Sequence, residues 1–216
     1  VRRSLGTFAK GGGGSGGLQR SLGGYVRGYG GSGRATRRFG GTAQTAGTLY
    51  GALSPSERSQ TTLPGGTLDA AVLSGRSANE VMDAVVEAVR PTDGTQDAEA
   101  SRVAIKDALS ELLTKFPDAV LLELTEVQRL FAVERYVALD VFRRFMLDVG
   151  KTIQDKAPTA KAGLARLKEA KDYIKETVAA AFKKVGIATG LTRQKVVALA
   201  KDALKETFAV FESYVK

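Results

Sequence analysis

The sequence predicts an all-α fold: a helical bundle of about five main helices, preceded by a glycine-rich, weakly helical N-terminal region. Three observations carry that expectation. Apolar residues recur at helical spacing over most of the chain. No segment alternates apolar and polar residues over strand length. Capping residues and prolines stand where the periodic runs begin and end.

Taken in order, residues 1–17 read as a flexible Gly/Arg-rich segment, with Lys10–Gly17 as its linker. The sequence begins at Val1 and not at a methionine, so further residues upstream are expected. Residues 18–66 read as Gly-rich basic helices that dock on the body or on a partner. Leu18, Leu22, Tyr25, Val26 and Tyr29 fall on one side of a helical wheel, and so do Phe39, Ala43, Ala46, Tyr50 and Leu53. Low-complexity arms do not hold such a register. Glycine costs about 1 kcal/mol per helical position relative to alanine, so these two helices, joined at a Gly30–Gly33 hinge, need a surface to lean on. Ala43, Gly47 and Gly51, four apart, form a smooth ridge for close backbone approach.

Residues 67–216 read as the helical bundle. Ser77-Ala78-Asn79-Glu80 is a capping box for a helix that carries Val81, Val85 and Val89 and stops before Pro91. Asp97 is expected to cap the next, which aligns Ile105, Ala108, Leu109, Leu112, Leu113 and Phe116 and breaks at Pro117. The longest helix is expected over Glu126–Ile153, capped by Thr125. Its stripe is Val127, Leu130, Phe131, Ala138, Val141, Phe142, Phe145 and Val149. A fourth follows Pro158 with Leu164, Leu167, Ile174, Val178, Phe182 and Val185, ending at Gly186. A fifth opens at Thr192 and shows Val196, Ala200, Ala203, Leu204, Phe208 and Phe211.

Composition narrows the chemistry. The chain has no cysteine and no histidine, which removes disulfides, thiolate chemistry and the commonest general base. That usage, with no secretory signal pattern and no membrane-length apolar run, fits the cytoplasm. The net charge of +9 is uneven: residues 1–56 hold eight basic groups and no acid, and the remainder is close to neutral. Such a split marks a contact surface for something acidic, a flexible arm, or a segment kept soluble by charge.

Several motifs bear on chemistry. Gly28-Tyr-Gly30-Gly-Ser-Gly33 satisfies GxGxxG in letters but lacks the preceding strand that a dinucleotide site needs, and Gly11–Gly17 lacks the ending of a phosphate loop. Tyr25, Arg27, Tyr29, Arg34, Arg37, Arg38 and Phe39 interleave arginines with aromatics and form the candidate partner-binding set. The same residues suit stacking-plus-charge binding of single strands, so a basic nucleic-acid-binding helical module is the alternative reading. Glu134 is the carboxylate within the apolar stripe of the longest helix, and a buried lone carboxylate needs a partner. Lys171 lies about 10 Å from level with it if the two helices are antiparallel, so an N-terminal arginine is the better candidate for a buried ion pair. No nucleophile–base, paired-carboxylate or metal constellation is legible, so no enzyme, cofactor or metal is expected.

Taken together, several segments resemble the QatB family, the B component of the Qat anti-phage defence cassette. They are Ser21-Leu-Gly-Gly-Tyr-Val26, Gly30-Gly-Ser-Gly33, Arg37-Arg-Phe-Gly40 and Ala46-Gly47. Arg90-Pro-Thr-Asp-Gly-Thr-Gln-Asp-Ala-Glu-Ala100, Val103-Ala-Ile105, Ala108-Leu-Ser-Glu111 and Arg129-Leu-Phe-Ala-Val-Glu-Arg-Tyr-Val137 continue the likeness over most of the chain. The resemblance implies a non-enzymatic adaptor or substrate protein of bacterial immunity. It implies a QueC-like ATP-dependent enzyme as direct partner, which modifies the N-terminal glycine of this component with a deazaguanine-type group. A P-loop ATPase and a TatD-like nuclease complete the implied cassette.

Overall fold

Side-chain caps set where the long helices begin. In the computed structural model, which describes residues 2–58, 62–186 and 190–215, the helices are α1 Arg2–Ala9, α2 Gly14–Gly28, α3 Ser32–Arg38, α4 Gly40–Leu53, α5 Pro55–Arg58 and α6 Ala70–Leu73. They continue as α7 Ala78–Val89, α8 Gln96–Lys115, α9 Glu126–Phe145, α10 Lys151–Lys156, α11 Ala160–Val185 and α12 Arg193–Ser213. Val1, where the sequence begins, lies outside the described residues. No strand occurs among them.

At α7, Ser77 Oγ accepts from the Glu80 N–H and the Glu80 carboxylate accepts from the Ser77 N–H. Thr125 and Gln128 build the same reciprocal cap on α9. Thr159 and Thr192 cap α11 and α12. The cap of α8 is Thr95, not Asp97: Asp93 accepts from the Thr95 N–H and hydroxyl at 2.9 and 2.6 Å, which fixes Thr95 at the boundary. Asp97 is thereby left inside the first turn, free to pair elsewhere.

The longest helix does run on from Thr125, but with a defect. A π-helical turn, Met146–Gly150, joins α9 to α10 and carries the helix to Lys156. Two stripe positions near helix starts are not core: Val127 is 69% and Leu164 62% exposed. Periodicity gives a direction around the helix, and at the ends no neighbour covers it.

The middle of α9 has no solvent face. Tyr136 to Phe142 are all buried, because α8, α11 and α4 pack around that stretch. Helix α12 is enclosed in turn by α4, α2, α3 and α11. Buried apolar residues from Leu5 to Phe211 form one contiguous cluster, so the glycine-rich quarter shares its interior with the body.

Residues expected to be flexible have structure here. Over Arg2–Ala9 the chain is a helix with Leu5, Phe8 and Ala9 buried, and a glycine turn leads into α2. Leu5, Phe8 and Ala9 supply an apolar face that the glycine content hides. The described chain therefore carries more helices than the five main ones expected, α2 and α4 being longer than α7. The Gly30–Gly33 hinge narrows to Gly30 and Gly31, at φ 87 and 99°, since Ser32 and Gly33 are already helical.

Two glycines explain how weak helices dock. A Cβ on Gly47 would sit 2.9 Å from the Arg193 carbonyl oxygen, and one on Gly23 would sit 2.7 Å from that of Phe211. Both oxygens belong to α12, so α2 and α4 lie on that helix at a range only glycine permits. Burial of Leu22, Val26, Ala46 and Leu53 then offsets the poor helix propensity.

Candidate interaction surface

The candidate set at the α2–α4 junction divides into interior aromatics and exterior arginines. Phe39 is fully buried, 4.9 Å from the Phe208 ring and under the Arg144 guanidinium at 5.3 Å. Tyr25 is buried edge-on to Phe145 and Tyr29, at 5.2 Å from each. Its hydroxyl and that of the half-buried Tyr29 both donate to Asp148 Oδ2, at 2.9 and 2.6 Å. Asp148 belongs to the π-helical turn, so that turn presents a carboxylate to two tyrosines of α2. Burial first, and then hydrogen bonding, pushes both phenols above their ordinary range.

Of the expected partner-binding residues, Tyr25 and Phe39 thus face the interior and cannot touch a partner in this conformation. Arg27, Arg34 and Arg37 are exposed and have no ion pair among the described residues. Arg38 is half exposed and differs from them, because its Nη2 lies 2.7 Å from Asp97 Oδ2.

Arg38 opens a chain of charges that runs inward. Arg144 Nη1 reaches the same Asp97 oxygen at 2.6 Å, and its Nε donates to Asp140 Oδ2 at 3.0 Å. Thr42 of α4 donates to that oxygen at 2.5 Å. Asp140 is fully buried, and burial raises its carboxyl against the pull of Arg144 and Thr42. Asp97 moves the other way: partial burial raises it, but Arg38 and Arg144 together outweigh that and hold it low. For Arg144, burial disfavours the charge, and Asp140 and Asp97 more than compensate.

Glu134 occupies a different setting. It is half-buried, burial raises its carboxyl, and the nearest cation is its neighbour Arg135, with Nη2 at 3.9 Å. Lys115, the other cation acting on it, lies over the Phe131 ring at 4.5 Å. Among the described residues, the N-terminal arginine that pairs with an acid of the body is Arg38, and the acid is Asp97. Asp140 is absent from the residues the sequence singles out, although Asp140 and Arg144 form an i, i+4 pair in plain sight.

The arrangement can bind, and its acids are engaged in structural pairs. No group of three or more carboxylates is placed to hold a metal ion among the described residues. No helix of the described chain is long and apolar enough to cross a membrane. A family model described as Qat anti-phage system associated protein QatB matches residues 30–211. No curated protein and no solved structure matches the chain.

Proposed function

The chain belongs to the QatB family of the Qat anti-phage system, and from that premise we propose that it is a non-enzymatic, cytoplasmic component that binds a QueC-like ATP-dependent enzyme. In this reading it also offers its own N-terminus to that enzyme for modification. The P-loop ATPase and TatD-like nuclease are further partners of the same reading.

One observation supports it most. Arg27, Arg34 and Arg37 stand exposed and without ion pairs among the described residues, on helices whose other side is buried, in a segment with no acid over residues 1–56. Charges held at fixed positions on a packed platform suit recognition of an acidic surface, where they set orientation and association rate. Arg38 contributes less, since Asp97 already holds it. Burial of Tyr25 and Phe39 weakens the alternative, a nucleic-acid-binding module, because it removes two of the three rings of the set from stacking on bases and leaves only the half-buried Tyr29.

Co-expression with the QueC-like protein followed by size exclusion tests the reading. Co-elution is expected for the unaltered chain, with loss in an Arg34→Ala/Arg37→Ala variant. Separate elution of the unaltered proteins contradicts it. Retention of single-stranded DNA with a steep salt dependence favours the nucleic-acid reading instead.

A further inference from the structure

The glycines of the N-terminal quarter fall into two physical classes. At Gly23 and Gly47 a Cβ collides with the backbone of α12, so the fold itself requires glycine. At Gly33, Gly40 and Gly41 a Cβ meets nothing within 4 Å. None of these three has positive φ, and all lie within α3 or α4. They stand in the first turns of those helices, and no packing contact among the described residues requires glycine there.

Their placement gives the reason. Gly33 and Arg37, four apart on α3, and Gly41 and Gln44, three apart on α4, are all exposed, on either side of the turn at Phe39. Ala35, Thr36, Phe39, Thr42, Ala43 and Ala46 are buried on the opposite side. Arg34 and Arg37, three apart on α3, are both exposed with no ion pair among the described residues, the Arg34 side chain lying over Gly30. The neighbouring acids are engaged: Asp97 holds Arg38 and Arg144, and Glu212 accepts from the Ser32 N–H.

We infer that the exposed face of α3 and α4, from Gly33 to Gln44, takes an acidic helix of a protein partner at close backbone range, with Arg34 and Arg37 pairing its carboxylates. The inference deepens the proposed partner-binding function and rests on it. Carboxylates spaced three or four apart on the incoming helix match the spacing of the two arginines. Open glycines let its backbone approach as small residues do between packed helices. A nucleic-acid strand fits less well. The nearby rings of Tyr25 and Phe39 are buried, and the face offers two arginines without an ion pair among the described residues where roughly 6–10 phosphate contacts support strong salt-dependent binding.

The test uses the full chain, the QueC-like protein as probe, and three double variants. Gly33→Ala/Gly41→Ala is expected to raise the melting temperature, because the space is open and alanine favours the helix. Gly33→Leu/Gly41→Leu is expected to fold and to bind the probe roughly tenfold or more weakly, as is Arg34→Glu/Arg37→Glu. A leucine pair that fails to fold, or an alanine pair that melts lower, overturns the open-surface premise. Unaltered binding by the leucine pair overturns the inference while leaving the proposed function standing. No binding by the unaltered chain overturns both. Retention of a single-stranded oligonucleotide on this face, lost in the arginine pair, overturns the choice of a protein occupant.

Discussion

Arg38 of α3 and Asp97 of α8 are joined by an ion pair of 2.7 Å, and through Asp97 the N-terminal quarter is wired to Arg144 and the buried Asp140. The outer link is half exposed and the inner one is dry, so their energetic weights differ. Asp140→Ala leaves Arg144 half compensated in the interior and is expected to cost about 3–5 kcal/mol. Arg38→Ala removes only a surface partner and is expected to cost about 1 kcal/mol or less. Urea unfolding of the two variants checks the order. An Asp140→Ala variant no weaker than Arg38→Ala would contradict it.

The same cluster sets an acid dependence. Asp97 has a folded pKa below its ordinary 3.8, so its contribution is present above that value and is lost as pH falls through the folded one. Asp140 is raised, so its contribution runs the opposite way and declines as pH rises from 3.8 toward its folded value. Relative to an Asp97→Ala variant, the unaltered chain should therefore lose stability as pH falls below 3.8. Melting curves of both proteins that stay parallel through that range would refute this.

Alkaline pH should act more strongly. Burial, as the largest cause, raises the phenols of Tyr25, Tyr29, Tyr50 and Tyr136, and it raises Tyr214 to about 12 with help from Tyr173. A raised phenol binds its proton more tightly in the folded state. That stabilisation is complete below the ordinary value of 10.0 and disappears as pH climbs to about 12 and beyond. The melting temperature is expected to fall above pH 10.0, with tyrosinate absorbance appearing together with unfolding. A level melting temperature from 10.0 to 12 counts against these burials.

The glycine contacts give a third contrast. Gly47→Ala places a methyl against the Arg193 carbonyl, which cannot swing aside, and is expected to cost about 1–3 kcal/mol. Gly33→Ala meets nothing and is expected to stabilise by about 0.5–1 kcal/mol. Calorimetry on the two single variants suffices. Equal shifts of the same sign would mean that α4 does not lie on α12 as described.

Much of this fold is legible in the amino-acid sequence. The Ser77 box, the Thr125 cap, the end of α11 at Gly186 and the Val196–Phe211 stripe of α12 follow from local rules that operate within a turn or two. Capping preference alone cannot tell Asp97 from Thr95; the Asp93 side chain decides between them. Asp140 escapes notice in the sequence because a helix is expected to keep a wet side, and the middle of α9 has none. The aromatics of the candidate set suit core and surface equally well by sequence. Their burial depends on Phe145, Phe208 and the π-helical turn, all more than a hundred residues away. The arginines left outside are legible as charge, and their lack of ion pairs among the described residues is not.

Amide hydrogen exchange over residues 18–53, with and without the QueC-like protein, bears most directly on the idea that the basic quarter is a prefolded handle. Helices α2 and α4 should already exchange slowly in the free chain, to a degree comparable with α9. Added protection on binding should be confined to residues 33–44. Rapid exchange throughout 18–53 until the partner is added would show that the handle forms only on binding, and would contradict the idea.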